Sequence, residues 1–123
     1  MLKLIFCLRR QPHLSREEFQ RYWREVHGPL VRQQAAVLRI RRYVQAHTLT
    51  DPLNDALRAG RGSDEPFDGV AELWWDSRAD LEAATGSEAG AAASRLLFED
   101  ERRFIDHAHS PLFVAEEKPI ITP

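Results

Sequence analysis

Residues 1–9 are largely apolar in both phases of a period-two pattern, with Leu2, Leu4, Phe6 and Leu8 in one and Ile5 and Cys7 in the other. A strand apolar on both faces is covered on both faces. Gln11-Pro12-His13 breaks the pattern. Ser15 then opens a helix: with Glu18 it forms a capping box, and Leu14 and Phe19 occupy the hydrophobic staple positions. Phe19, Tyr22, Trp23, Val26 and Leu30 follow at helical spacing. Gly28-Pro29 interrupts the stripe. Pro29, which needs no N–H at a helix start, begins a second short helix to about Val37.

Residues 40–47 predict a second strand, with Tyr43, Gln45 and His47 on one face and Arg42, Val44 and Ala46 on the other. From Thr48 to Phe67 no period holds. Pro52, Gly60, Gly62 and Pro66 mark a long loop in which residues 53–59 can form a helical turn or two. Such loops are often functional. Residues 70–75 predict a third strand, with Val70, Glu72 and Trp74 in one phase and Ala71, Leu73 and Trp75 in the other. Ser77 caps a helix that ends at Gly86. The alanine-rich residues 89–93 lead into a helix carrying Leu97, Phe104 and Ile105, which Ser110-Pro111 stops. Residues 112–115 predict the last strand.

The order is strand, helix, strand, strand, helix, strand. It predicts one α+β domain over 1–123, a ferredoxin-like βαββαβ unit with a four-stranded antiparallel sheet. Right-handed crossovers place both helices on one face. Phe6 and Trp74 are each worth roughly 2–3 kcal/mol when buried, so the bare face needs a cover. A second copy supplies it most simply, two sheets closing into a dimeric α/β barrel.

Composition narrows the partners. Seventeen basic and nineteen acidic residues give a net charge of -2, which offers no attraction to nucleic acid or an anionic membrane. No apolar run approaches the roughly 20 residues of a membrane span, and the N-terminal run has the wrong order of charge for a signal peptide. A lone cysteine, Cys7, excludes an intrachain disulfide and fits a cytoplasmic location. No glycine-rich phosphate loop or dinucleotide fingerprint is present.

The candidate chemistry lies on the strands and the first helix. His47, at the end of its strand, and Asp68, near the start of the next, are brought together by a hairpin register. Glu72, in phase with Trp74, is expected to line the same cavity. A histidine and a carboxylate there can abstract a proton or open a lactone, or they can simply fix the hairpin. His27 follows Trp23 by four residues, at the edge of the buried stripe. It reads as a general acid/base or as a helix-terminal histidine bonded to carbonyls. Asp100 falls on the apolar face of the last helix, where Arg103 at i+3 offers an ion pair; it also remains a ligand-binding candidate. His107 and His109, at i and i+2, point apart on a helix, so no metal site is expected. Cys7 reads as a small core residue.

Several blocks then fall in one order: Arg9-Arg10-Gln11-Pro12-His13-Leu14-Ser15; Phe19; Tyr22-Trp23; His27-Gly28-Pro29-Leu30-Val31; Arg42-Tyr43-Val44-Gln45 and His47; Phe67-Asp68-Gly69-Val70-Ala71-Glu72-Leu73-Trp74; and Glu99-Asp100-Glu101 with Phe104-Ile105-Asp106. Together, over about residues 1–117, they resemble the EthD family. The stretch 86–93 and Trp75 depart from its pattern. The resemblance implies a dimeric α/β barrel with a pocket between sheet and helices. Relatives by fold include isomerases, cyclases, decarboxylases and cofactor-free monooxygenases, so fold alone selects no reaction. The expectation is a homodimeric enzyme using no metal or organic cofactor on a small hydrophobic, oxygenated ligand, a lactone, phenol or polyketide-like compound. His27, His47, Glu72 and Asp68 form the catalytic set; Trp23, Tyr43, Gln45, Trp74, Phe6 and Asp100 contact the ligand. The alternative is a non-catalytic binding or accessory protein in hydrophobic-metabolite catabolism.

Overall fold

The computed structural model describes residues 1–123. Strands β1 (Leu2–Leu8), β2 (Arg42–His47), β3 (Gly69–Trp75) and β4 (Leu112–Glu116) form one antiparallel sheet in the order β2-β3-β1-β4. This is the ferredoxin-like arrangement that the element order predicts.

The first helical segment is built differently from the expected broken pair. Helix α1 (Arg16–Tyr22) starts at the Ser15/Glu18 capping box, with both reciprocal bonds formed. It does not stop at Gly28-Pro29. It passes through a π-helical turn, Trp23–His27, directly into α2 (Gly28–Gln34). Proline cannot donate to the carbonyl four residues back, and its ring crowds that carbonyl. The chain widens there, and the Gly28 N–H bonds Trp23 O, five residues back. Helix α2 ends three residues short of Val37, and Arg39 takes a left-handed φ of 58° before β2.

Residues 48–67 hold more structure than the sequence suggests. Helix α3 (Pro52–Arg61) is capped by Asp51, which accepts from the Leu53 N–H, and closes on left-handed Gly62. None of its residues is buried, so its amphipathic pattern serves no core of this chain. The second crossover is two helices, α4 (Arg78–Gly86) and α5 (Glu88–Glu101), joined at Ser87. The Ser87 hydroxyl bonds Ala84 O on one side and accepts from the Gly90 N–H on the other. A Cβ on Gly90 would stand 1.6 Å from Ala84 O, so only glycine allows this joint. No helix is long and apolar enough to cross a membrane.

The register assigns each strand residue to a face. Leu4, Phe6 and Leu8 lie beside Leu73, Ala71 and Gly69 on the helix side, where Trp75 joins them. There Phe19, Trp23, Phe104 and Ile105 complete a dense core, with Phe19 and Phe104 rings 5.5 Å apart. Lys3, Ile5 and Cys7 face outward beside Trp74, Glu72 and Val70. Phe6 and Trp74 therefore occupy opposite faces, and each is buried within the single chain. Lys3 Nζ lies 4.8 Å from the Trp74 ring, the Arg42 guanidinium 4.6 Å, and the indole N–H donates to Glu117 at 2.5 Å. Polar side chains thus shelter the Trp74 that was expected to need a partner. What remains uncovered is smaller: Ile5, Val44 and Val70 are only partly covered, and Phe113 is 48% exposed.

Candidate functional site

Between the helix face of the sheet and the helices lies a cavity of about 210 Å³. Leu4, Phe6 and Leu73 help form its floor; Trp23, His27 and Val31 enter from the first helical segment, Ser94, Leu97 and Glu101 from α5. Fifteen of its nineteen lining residues are hydrophobic, so the few polar ones decide how a ligand is oriented. A cavity of about 150 Å³ holds benzene. This one therefore has room for a substituted single ring.

His27 reaches the cavity because the π turn carries it there with Trp23, one wide turn apart. Its Nδ1 lies 2.8 Å from Oδ2 of Asp100, and its Nε2 bonds to no protein group. An ionised carboxylate only accepts, so Nδ1 carries the hydrogen and Nε2 of the neutral ring offers a lone pair. Tyr22 donates its hydroxyl to the other oxygen, Oδ1, at 2.5 Å. Burial, then the bond to Asp100 and its charge, push the Tyr22 phenol up, so it stays a donor. Asp100 is therefore held on both oxygens. It neither pairs with Arg103, as the helix spacing suggested, nor lines the cavity; it orients His27.

A second chain of bonds runs along β2. Gln45 Nε2 donates to Trp23 O at 3.0 Å and to Tyr43 Oη at 2.8 Å, while Gln45 Oε1 accepts from His47 Nε2 at 2.7 Å. The amide thus seals the carbonyl at the π turn. Tyr43 lines the cavity; Gln45 and His47 do not. The His47 ring stacks on Trp23 at 4.5 Å and opens with Arg24 and Gln45 onto a shallow surface depression. Burial, then the charge of Arg24, hold the His47 pKa below its ordinary value, which keeps the ring neutral. The indole of Trp23 fits against Gly69 so closely that a Cβ there would lie 2.4 Å from the ring.

The two remaining carboxylates of the expected set lie elsewhere. Asp68 does not meet His47. It accepts from the Arg10 N–H at 2.8 Å, from Arg10 Nη1 at 2.6 Å and from Arg16 Nε at 3.1 Å. Burial would raise its pKa, but these bonds overcome that and hold the carboxyl below its ordinary range. It is a clamp between the start of β3 and the loop entering α1. Glu72 pairs in register with Val44, on the sheet face opposite Tyr43, and bonds Lys3 Nζ at 3.2 Å. Trp74 shares that outer face. Neither residue can share a cavity with His27. Phe6, Trp23 and Tyr43 do line it.

Tyr22 and Glu101 are site residues that the sequence does not single out. Glu101 lines the cavity four residues after Leu97, on the same helical stripe, and bonds His107 at 3.0 Å. The His107 ring stacks on Phe98 at 4.9 Å and lies near Phe6. His109 bonds Asp106 instead, so the two histidines do diverge. Burial raises the Cys7 thiol pKa on the outer sheet face, which leaves no reactive thiolate there.

Comparison with known proteins agrees with this architecture. The family model of the EthD domain matches residues 11–108. An ethyl tert-butyl ether D (EthD) family protein of Bacillus halodurans C-125 is 22% identical, with a TM-score of 0.63 over 96% of this chain and 99% of that one. A dimeric protein of ferredoxin-like fold and unknown function from Bacteroides fragilis gives 0.58 at 12% identity, over 94% and 95%. A mutant of SnoaB, a cofactor-independent oxygenase from Streptomyces nogalater, gives 0.51 at 11% identity, over 99% and 97%. At these identities the likeness is one of fold. No curated protein sequence matches the chain.

Proposed function

The chain belongs to the EthD domain family, and from that premise we propose that it is a small proton-transfer enzyme acting on a hydrophobic, oxygenated, single-ring compound. The observation that carries this reading is the pairing of His27 with Asp100 at 2.8 Å, with Nε2 left unbonded on a residue that lines an apolar cavity. Oriented by a carboxylate, neutral imidazole is a general base near physiological pH, and the imidazolium it becomes is stabilised by the same carboxylate. Isomerisation, cyclisation, decarboxylation and oxygenation of a lactone or phenol each contain a proton transfer at carbon or oxygen. His27 supplies that step in all four without a metal or organic cofactor. Trp23, Phe6 and Tyr43 pack the ring. His47 and Gln45 act from behind Trp23, and Asp68 holds the chain entering α1. The SnoaB likeness in fold is compatible with the oxygenation branch of this reading.

The working form is a cytoplasmic homodimer, with a second sheet laid across Ile5, Val44, Val70 and Phe113. The likeness in fold to a dimeric protein of B. fragilis is compatible with a homodimer. A non-catalytic binding role would use the same cavity, and the apolar lining is its support. Deuterium exchange separates the two. Monocyclic lactones, enones and phenols are incubated with the protein in heavy water and followed by NMR. Exchange at an acidic carbon in at least one of them is expected, falling about 100-fold or more in His27→Ala. Unaltered exchange in that variant, with the fold intact by circular dichroism, would overturn the assignment to His27. Tight binding with no exchange in any compound would favour the binding role.

A further inference from the structure

We infer that Tyr43 is the hydrogen-bond donor that holds a ligand's carbonyl or enolate oxygen in the cavity, and that Gln45 is the positioning residue that turns its hydrogen there. The inference deepens the proton-transfer reading and rests on it. It narrows the ligand to a single-ring carbonyl compound or its enol.

Trp23 O can only accept, so the amide of Gln45 must present its NH2 to it. One amide hydrogen goes to Trp23 O and the other to Tyr43 Oη. Reversing the amide would set its Oε1 against Trp23 O, and His47 Nε2 holds Oε1 in place from the other side. Tyr43 Oη therefore receives a hydrogen bond, and no protein acceptor takes its own hydrogen. Burial raises the Tyr43 pKa, so the phenol keeps that hydrogen. Tyr43 lines the cavity, and a hydroxyl there with its donor unspent is suited to an oxygen that gains charge. Gln45 Nε2 also lies 3.4 Å from where a Cβ on Gly28 would stand, which ties this amide to the neighbour of His27.

The two groups divide one reaction. His27 Nε2 takes a proton from the carbon beside the carbonyl. The C–H pair becomes the new C=C bond, and the carbonyl π pair moves to oxygen, where the Tyr43 O–H meets it. Return of the proton from His27, to the same carbon or to the far end of a conjugated system, restores a neutral product. No oxidant, reductant or co-reactant enters.

The test uses two ligands of nearly one shape, 4-nitrophenol, whose oxygen mimics the enolate, and 4-nitrotoluene, which lacks it. The wild-type protein should bind both and prefer the phenol about tenfold. Tyr43→Phe should abolish the preference and leave 4-nitrotoluene affinity unchanged. Gln45→Glu, which accepts from Tyr43 and so draws its hydrogen away, should do the same; retained 4-nitrotoluene binding shows that the cavity is intact. If that variant does not fold, Tyr43→Phe carries the test alone. A phenol preference that survives Tyr43→Phe, or that is missing from the wild type while 4-nitrotoluene binds, overturns the role of Tyr43 and leaves the cavity reading standing. Failure of the wild type to bind either ligand overturns both.

Discussion

His27 and Asp100 meet at 2.8 Å although 73 residues separate them, and both are almost wholly buried. The pair joins the π turn to the last turn of α5. Asp100→Asn keeps the shape but lets the amide donate to Nδ1, which would shift the ring hydrogen to Nε2 and remove the lone pair from the cavity. We expect proton exchange to fall by about 100-fold or more with little change in ligand affinity. Asp100→Ala also strands the Tyr22 hydroxyl and should lower stability by about 1–3 kcal/mol in denaturant melts.

Gly69 and Trp23 set a second limit. A methyl at Gly69 would lie 2.4 and 2.8 Å from indole carbons and 2.9 Å from Ala46 O. Gly69→Ala should cost about 1–3 kcal/mol of stability by overpacking. The indole would have to leave its stack on His47, so tryptophan fluorescence should shift in the folded variant. An unchanged spectrum and melting temperature would contradict this packing.

Acid stability should depend on Asp68. Its folded pKa lies below the unfolded value of 3.8, so the unfolded chain binds the proton more readily. The stabilisation is complete above that value and is lost as pH falls through it toward the folded pKa. Asp68→Asn should flatten this acid limb and lower stability at neutral pH by about 1–3 kcal/mol, since Arg10 and Arg16 lose their shared charged partner. His47 acts in a higher window. Its folded pKa lies below 6.5, so stability is complete above 6.5 and declines as pH falls from there toward the folded pKa. His47→Gln should remove that decline, and urea titrations across the range would detect it.

The outer sheet face predicts assembly. Val44 stands mid-strand there, opposite Glu72. Val44→Lys should leave the protomer folded and shift sedimentation from dimer to monomer at micromolar concentration. A wild-type monomer under the same conditions would remove the homodimer from the proposed function.

The sheet was legible because period two in β1 and β3 and the capping box at Ser15 are local signals. The two-faced apolar pattern of β1 is also real, but part of the cover that it calls for comes from within the chain. Lys3, Arg42 and Glu117 come from separate strands and the tail, and only the sheet register gathers them over Trp74. The same register places Tyr43 and Glu72 on opposite faces, which no count along one strand can reveal. His27 was readable from its spacing to Trp23. The spacing puts Asp100 on the apolar helix face but does not reveal its partners, because Arg103 is near in sequence whereas His27 and Tyr22 are near only in space. Helix α3 leaves only a weak trace in the sequence because it buries nothing; its order rests on the caps at Asp51 and Gly62.

The π turn at Trp23–His27 acts as a phase offset between scaffold and site. Each residue of an α-helix advances the side chain by about 100°. Removing one residue from the turn would leave Phe19 in its aromatic cluster and rotate everything after it by about that angle, His27 and Val31 included. The extra residue thus sets the angle at which His27 meets Asp100 and Val31 meets Leu38, Ala93 and Leu97, and a single deletion would turn both away from their partners while the Phe19 cluster stayed in place.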